Sequence, residues 1–261
     1  MKLPNRLDNK AIDQFYDEGY TVIDGVFDAL EIREIAEAFD RLQDVSGSLS
    51  TDSVYRGSQF VLERYLSGEG EEDVRIHRIV WCAGAEPILG TLGRKNVILE
   101  LAAQVLESRE MDQLINQAHF KLPGDGVRFE WHQDCLHRRY GTDEWTDVNG
   151  RGSFLEIIVA IDAMTEENGP LQLIPFSCNQ GALPVDPATR SLLPGSFDPE
   201  EAITLKLQPG SALLIGPYTI HGSGCNESTG PRRVFLNGFA SPGANRRIYP
   251  GCGTGRRVVV C

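Results

Sequence analysis

The sequence predicts an α+β protein: an antiparallel jelly-roll-type core, sandwich or barrel, with helices packed on its N-terminal flank. Three observations carry this. Through roughly the first 110 residues, apolar side chains recur at helical spacing. From residue 112 onward, short runs dense in β-branched and aromatic residues alternate with Gly and Pro. No internal repeat, low-complexity tract or linker divides the 261 residues, a length that builds one core comfortably. The expected organisation is one domain over 1–261, with a mainly helical flank and cover over 1–110 and the jelly-roll core over 112–261.

Taken in order, Asp8 or Asn9 caps a short helix carrying Ile12, Phe15 and Tyr16 before a Gly19 stop. Tyr20-Thr21-Val22-Ile23 reads as a strand, and Asp24-Gly25 as a turn. A second helix starts at Asp28, with Leu30, Ile35, Ala38, Phe39 and Leu42 on one face. A third covers about 96–107, on Val97, Ile98, Leu101, Ala102 and Val105. The Gly- and charge-rich stretch 46–73 reads as loop and mobile cover. Strands are expected at 114–120, 127–131, 154–161, 171–174, 203–207, 212–215 and 234–239.

The net charge of −12 and a pI near 4.9 disfavour nucleic acid and anionic membrane surfaces as partners. No apolar run approaches the length of a membrane span, and the N-terminal residues lack the apolar segment of a secretory signal. Six scattered cysteines, none in a C-x-x-C pair, read as free thiols of a reducing compartment. The expectation is a cytoplasmic protein, monomer or homodimer, that acts on a small molecule.

The informative segment is Trp131-His132-Gln133-Asp134. Residues two apart on a strand share a face, so His132 and Asp134 can both point into a barrel. An imidazole and a carboxylate together are two-thirds of a 2-His-1-carboxylate site for non-haem iron. Alone, the pattern is equally a surface His–Asp hydrogen bond. His221 changes the odds: it lies 89 positions further on, just past the apolar run 212–215, and is followed by Gly222-Ser223-Gly224. A third ligand from a distant strand is what a site in a barrel mouth requires. Arg232 follows 11 residues later, at the start of another strand. A buried guanidinium is costly unless it meets an anion, and it grips a carboxylate bidentately.

The string from His221 through Gly222-Ser223-Gly224-Cys225-Asn226 to Gly230-Pro231-Arg232 resembles the distal signature of the phytanoyl-CoA dioxygenase family, which are Fe(II)- and 2-oxoglutarate-dependent oxygenases. Trp131-His132-Gln133-Asp134 resembles its proximal motif. Glu167-Asn168-Gly169-Pro170-Leu171 with Ile174-Pro175 is similar to the turn and strand between, and Phe15 to Val22 to the family's usual start. Phe176-Ser177-Cys178 departs from the Gly-Ser-His of many members. The resemblance covers nearly the whole chain. It implies a double-stranded β-helix core, His132, Asp134 and His221 on Fe(II), and Arg232 with Ser223 on the distal carboxylate of 2-oxoglutarate. It also implies further co-substrate contacts from Gln117, His119 and Lys121, which strand alternation puts on one face. O₂ is the other co-substrate. Asp134, where related halogenases carry a small residue, implies hydroxylation, desaturation or ring closure.

The substrate pocket implied by the resemblance borders Phe129 and the segment after Asp134. His137, Arg138 and Arg139 form a basic cluster suited to a carboxylate or phosphate, or else a solvated loop. The arginines and aromatics from Arg56 to Trp81 are expected to cover the same mouth. The acidic chain offers no evident basic groove for acyl-CoA, so the preferred substrate is an amino acid or natural-product intermediate. Two other classes stay open: a catalytically silent binding or sensing member, and a cupin-like metal hydrolase or isomerase.

Overall fold

The computed structural model describes residues 7–66, 72–186 and 191–260. Helix α1 (Asn9–Glu18) starts where the Asp8 carboxylate accepts from the Ala11 N–H, and stops at Gly19, left-handed at φ 88°. Strand β1 (Tyr20–Ile23) follows. Helix α2 (Ala29–Ser46) opens with a reciprocal capping box between Asp28 and Glu31. It buries Ile35, Ala38, Phe39 and Leu42, whereas Leu30, expected on that face, is exposed.

The stretch expected as loop and mobile cover is instead mostly sheet. Strands β2 (Ser53–Tyr55), β3 (Ser58–Leu66) and β4 (Glu72–Val80) run antiparallel, so the first 110 residues are less helical than the sequence implied; residues 67–71 lie outside the described residues. The polarity has a physical reason. Phe60, Ile76 and Ile79 face the apolar core, but Gln59, His77 and Arg78 line a cavity, so half the pattern reads as hydrophilic. Helices α3 (Pro87–Leu92) and α4 (Asn96–Leu106) complete the flank.

The core strands then follow: β5 (Glu110–His119), β6 (Phe129–His132), β7 (Phe154–Ala160), β8 (Leu171–Leu173), β9 (Ile203–Thr204), β10 (Ala212–Ile215), β11 (His221–Ser223), β12 (Val234–Ala240) and β13 (Arg256–Val259). A helical turn, α5 (Asp134–His137), interrupts them after β6. Seven of these strands occupy the expected runs. The short β11 and the polar β13 carried no comparable signal.

Nine strands form a large sheet in the order β1-β10-β7-β12-β5-β4-β3-β2, with β13 also on β5. Four form a small sheet, β6-β11-β8-β9. β7 and β12 are buried at every position, which is why they read as continuous runs and not as alternating ones. Helices α2 and α4 lie against the large sheet through a core that includes Phe39, Ile98, Phe120 and Phe235. A second cluster joins Leu171 and Leu173 of the small sheet to Ile158, Ile215 and Leu236 of the large one. Two facing sheets so connected, with a helical flank, form the double-stranded β-helix, and a cavity of about 650 Å³ opens between them. Among the described residues no helix is long and apolar enough to cross a membrane. The five described cysteines are free thiols, as expected, with Cys82 and Cys135 buried.

Candidate metal centre

Pairing of β6 with β11 sets His132 directly opposite His221, and the two rings lie 4.2 Å apart between centroids. Asp134 reaches the same point by a different route from the one strand alternation suggested. β6 ends at His132, and Asp134 opens α5, so the chain turns beneath its own carboxylate. Gln133, between them, is fully buried and points away. Its Nε2 donates to the carbonyls of Gly181 (2.9 Å) and Tyr218 (2.6 Å), and its Oε1 accepts from Leu183 N–H (2.8 Å). One side chain thus ties the turn to two loops.

Ligand atoms of His132, Asp134 and His221 all fall within 4.8 Å of one another, the group of described residues that could hold a metal ion. The donor set fits such an ion. His132 Nδ1 meets the Glu130 carbonyl at 2.6 Å and His221 Nδ1 the Thr219 carbonyl at 3.0 Å. Each Nδ1 therefore carries the proton, and each Nε2 keeps its lone pair. Burial, followed by His221 and His137, pushes the His132 pKa down to about 3, so the ring is neutral as a ligand must be. Asp134 Oδ2 is buried without a hydrogen-bond partner, an orphaned acceptor of the kind a cation satisfies.

Behind Asp134 stands Glu156, on β7 and buried. Burial raises its pKa, and so does the adjoining Asp134 carboxylate, which favours the protonated form of Glu156 beside Asp134. Burial alone would raise Asp134 as well. The contact with Glu156 and the neighbouring His221 and Arg138 outweigh it and hold Asp134 below the usual range. Arg138 lies 3.9 Å from Glu156, over the Phe154 ring. Glu156 went unnoticed in the sequence, although it is the lone charge in the apolar run Phe154–Ala160.

Arg232 precedes β12 and is 2% exposed. Its Nη2 donates to the Gly169 carbonyl (2.7 Å) and to Ser223 Oγ (3.2 Å), and its Nε has no partner. Burial lowers its pKa to about 10, still a cation at neutral pH. Lys121 pairs with Arg232 through both backbones and donates to Ser223 Oγ (2.7 Å), Ser223 O and Gly224 O. Burial, and then Arg232, bring the Lys121 pKa down to about 6. Gly169 is left-handed, and a Cβ there would strike the carbonyls of Gly224 and Cys225; only glycine lets this turn seat beneath the strand that carries His221.

Phe129 packs against the imidazoles of both His77 (4.7 Å) and His119 (5.0 Å), which are themselves 6.5 Å apart, and His119 contacts Gln117 Oε1 at 2.9 Å. Gln117, His119, Phe129, His137 and Arg138 line the cavity as expected. Three expected residues do not. Lys121 is fully buried on the Ser223 and Gly224 oxygens. Trp81 is buried under Gly251 with Arg256 over its ring at 4.7 Å. Arg139 turns outward, 3.8 Å from Glu144 and 43% exposed. Of the basic cluster, His137 and Arg138 line the cavity, whereas the left-handed backbone at Arg139, φ 62°, just past α5, turns its side chain away. His77 and Arg78 also line the cavity, and no strand was expected there to present them.

A double-stranded β-helix whose mouth gathers two histidines, an aspartate and a buried arginine defines the class: a non-haem metal oxygenase. The chain belongs to the phytanoyl-CoA dioxygenase (PhyH) family, whose model matches residues 15–234. It is an Fe(II)- and 2-oxoglutarate-dependent dioxygenase. It is 27% identical over 252 residues to the probable alpha-ketoglutarate-dependent hypophosphite dioxygenase of Stutzerimonas stutzeri, covering 92% of this chain and 80% of that one. It is 26% identical over 197 residues to L-proline trans-4-hydroxylase of Streptomyces griseoviridis, covering 64% and 68%. In structure it is similar to EvdO2 of Micromonospora carbonacea complexed with 2-oxoglutarate, with a TM-score of 0.67, 22% identity, and 90% and 91% of the two chains covered.

Proposed function

We propose that this dioxygenase hydroxylates an unactivated C–H bond of a small molecule, an amino acid or natural-product intermediate, with His132, Asp134 and His221 as its iron ligands. One observation carries the reading: three ligand atoms converge within 4.8 Å, with both Nδ1 atoms engaged elsewhere and Asp134 Oδ2 unpartnered. Arg232 and Ser223 receive the distal carboxylate of 2-oxoglutarate, because Arg232 is buried, charged and without a carboxylate of its own among its hydrogen-bond partners. Residues 1–261 act as one catalytic unit in the cytoplasm, a compartment that suits the free thiols.

When bound, Fe(II) supplies the activation of O₂, coupled to oxidative decarboxylation of 2-oxoglutarate to succinate and CO₂, with the second oxygen atom entering the substrate as hydroxyl. The protein's own part is positional. The Glu130 and Thr219 carbonyls fix the two imidazole orientations, and Glu156 with Gln133 fixes the carboxylate. Lys121 holds Ser223 beside Arg232. Ile158, Leu171, Val234 and Leu236 keep the neighbouring wall apolar, which excludes water from the reacting bond. The test is succinate formed from 2-oxoglutarate by purified protein with Fe(II) and ascorbate in air, against small acids and amino acids. Succinate that requires His132 and rises with one compound supports the reading. Absence of 2-oxoglutarate binding to the anaerobic iron-loaded protein refutes it.

A further inference from the structure

The added strands β3 and β4 put new chemistry on the wall of the cavity. Register places Arg78 opposite His119 and Val80 opposite Gln117, so these side chains share one face with Gln59. Five arginines line the cavity, and four have assigned partners. Arg128 pairs with Glu130 (2.8 Å), and Arg138 faces Glu156. Arg232 holds Ser223 and Gly169, and Arg247 donates to the His137 carbonyl (2.9 Å). Arg78 has one described hydrogen bond, to His77 Nδ1 at 2.8 Å. Its nearest acidic influences, Glu63 and Asp52, act on it without an ion pair among the described residues.

His77 adds an independent observation. Arginine only donates, so the 2.8 Å contact makes Nδ1 the acceptor and puts the ring proton on Nε2; the Glu63 carboxylate, 3.3 Å from the same Nδ1, makes no hydrogen bond to it. That Nε2 is buried and has no partner, on a residue of the same wall. A guanidinium with no carboxylate partner and an N–H donor without an acceptor, in one cavity, are a receptor for an anion. The 2-oxoglutarate carboxylate is already provided for at Arg232, so this second receptor serves another molecule.

We propose that Arg78, with the Nε2–H of His77, anchors the acid group of the substrate, and that the substrate is therefore a small carboxylate or phosphorus oxyanion. This rests on the function proposed above. The anion would sit on the wall beside His119, on the same sheet as the Arg232 cradle but two strands along from it, leaving the rest of the molecule to face the metal ligands.

The experiment is anaerobic calorimetric titration of the iron-loaded protein, with 2-oxoglutarate present, using L-proline, hypophosphite and, lacking the acid group, L-prolinamide. At least one acid is expected to bind, with L-prolinamide at least about 10-fold weaker than L-proline wherever L-proline binds. Arg78→Gln weakens the acid by about 10- to 100-fold, the worth of a charged, two-donor contact. The 2-oxoglutarate Kd, titrated separately, moves less than about 3-fold. Should Arg78→Gln fail to fold by circular dichroism, Arg78→Lys decides: it keeps the charge but loses the planar fork, and a loss of at least about 3-fold supports the proposal. The proposal is overturned if neither acid binds, if the Arg78 variants bind the acid like wild type, or if Arg78→Gln weakens 2-oxoglutarate as much as the acid. Failure of 2-oxoglutarate to bind wild-type protein would instead remove the function on which the proposal stands.

Discussion

Gln133→Leu tests whether the metal ligands are held by the loops around them. Leucine matches the side chain in bulk and removes only its polar end. Three backbone groups then lose their partner: the Gly181 and Tyr218 carbonyls and the Leu183 N–H. A buried group left unsatisfied costs about 1–3 kcal/mol, and relaxation of two surface loops recovers part of that, so a net loss of about 2–4 kcal/mol is expected. In a chain of this size each kcal/mol moves Tm by about 2–4 °C, which gives a fall of about 5–15 °C. The same change frees the turn that carries Asp134, and loss of such outer support lowers metal affinity by about 10- to 100-fold. Thermal unfolding by circular dichroism reads the first effect, and competition for Fe(II) or Co(II) against a chromophoric chelator reads the second. A Tm within 2 °C of wild type together with unchanged metal affinity would refute the reasoning.

Three further outcomes follow from the site. His132→Ala is expected to abolish substrate-dependent succinate formation and to lower metal affinity by at least about 100-fold, read by the same chelator competition. Arg232→Leu is expected to raise the 2-oxoglutarate Kd by about 10- to 100-fold in anaerobic titration, because it deletes the buried cation beside Ser223. Lys121 gives stability a pH signature. Its folded pKa of about 6 lies below its ordinary value, so above that pH the unfolded chain binds the extra proton. Its contribution to unfolding free energy therefore rises with pH from about 6 to about 10. Denaturant titrations of wild type minus Lys121→Met should show that positive slope, and a flat difference would contradict it.

The legible parts of the chain were those where one physical demand acted alone. Asp8, Asp28 and Gly19 mark helix ends because caps require particular side chains or a left-handed residue. The buried strands β7, β10 and β12 announce themselves as apolar runs. His132, Asp134, His221 and Arg232 could be gathered because metal and anion chemistry leaves few substitutes. The misread parts served two demands at once. β3 and β4 carry core residues on one face and cavity residues on the other, so their charge density resembled a loop. Asp134 was expected on a strand because periodicity cannot show where β6 gives way to α5. Trp81 and Arg139 were assigned to the cavity by position in the chain, and a turn beside each, at φ 56° and φ 62°, directs them elsewhere.

The order of the strands separates two kinds of change. The histidine pair belongs to the four-stranded sheet, whereas β2, β3 and β4 form the outer edge of the nine-stranded one, paired to it among the described residues only through β5. Residues such as Gln59 and Arg78 can therefore be exchanged without disturbing the hydrogen-bond ladder that sets His132 against His221. Chemistry and selectivity sit on independently mutable parts, so a new preference can arise by rewriting one edge hairpin while the oxidising machinery is inherited unchanged.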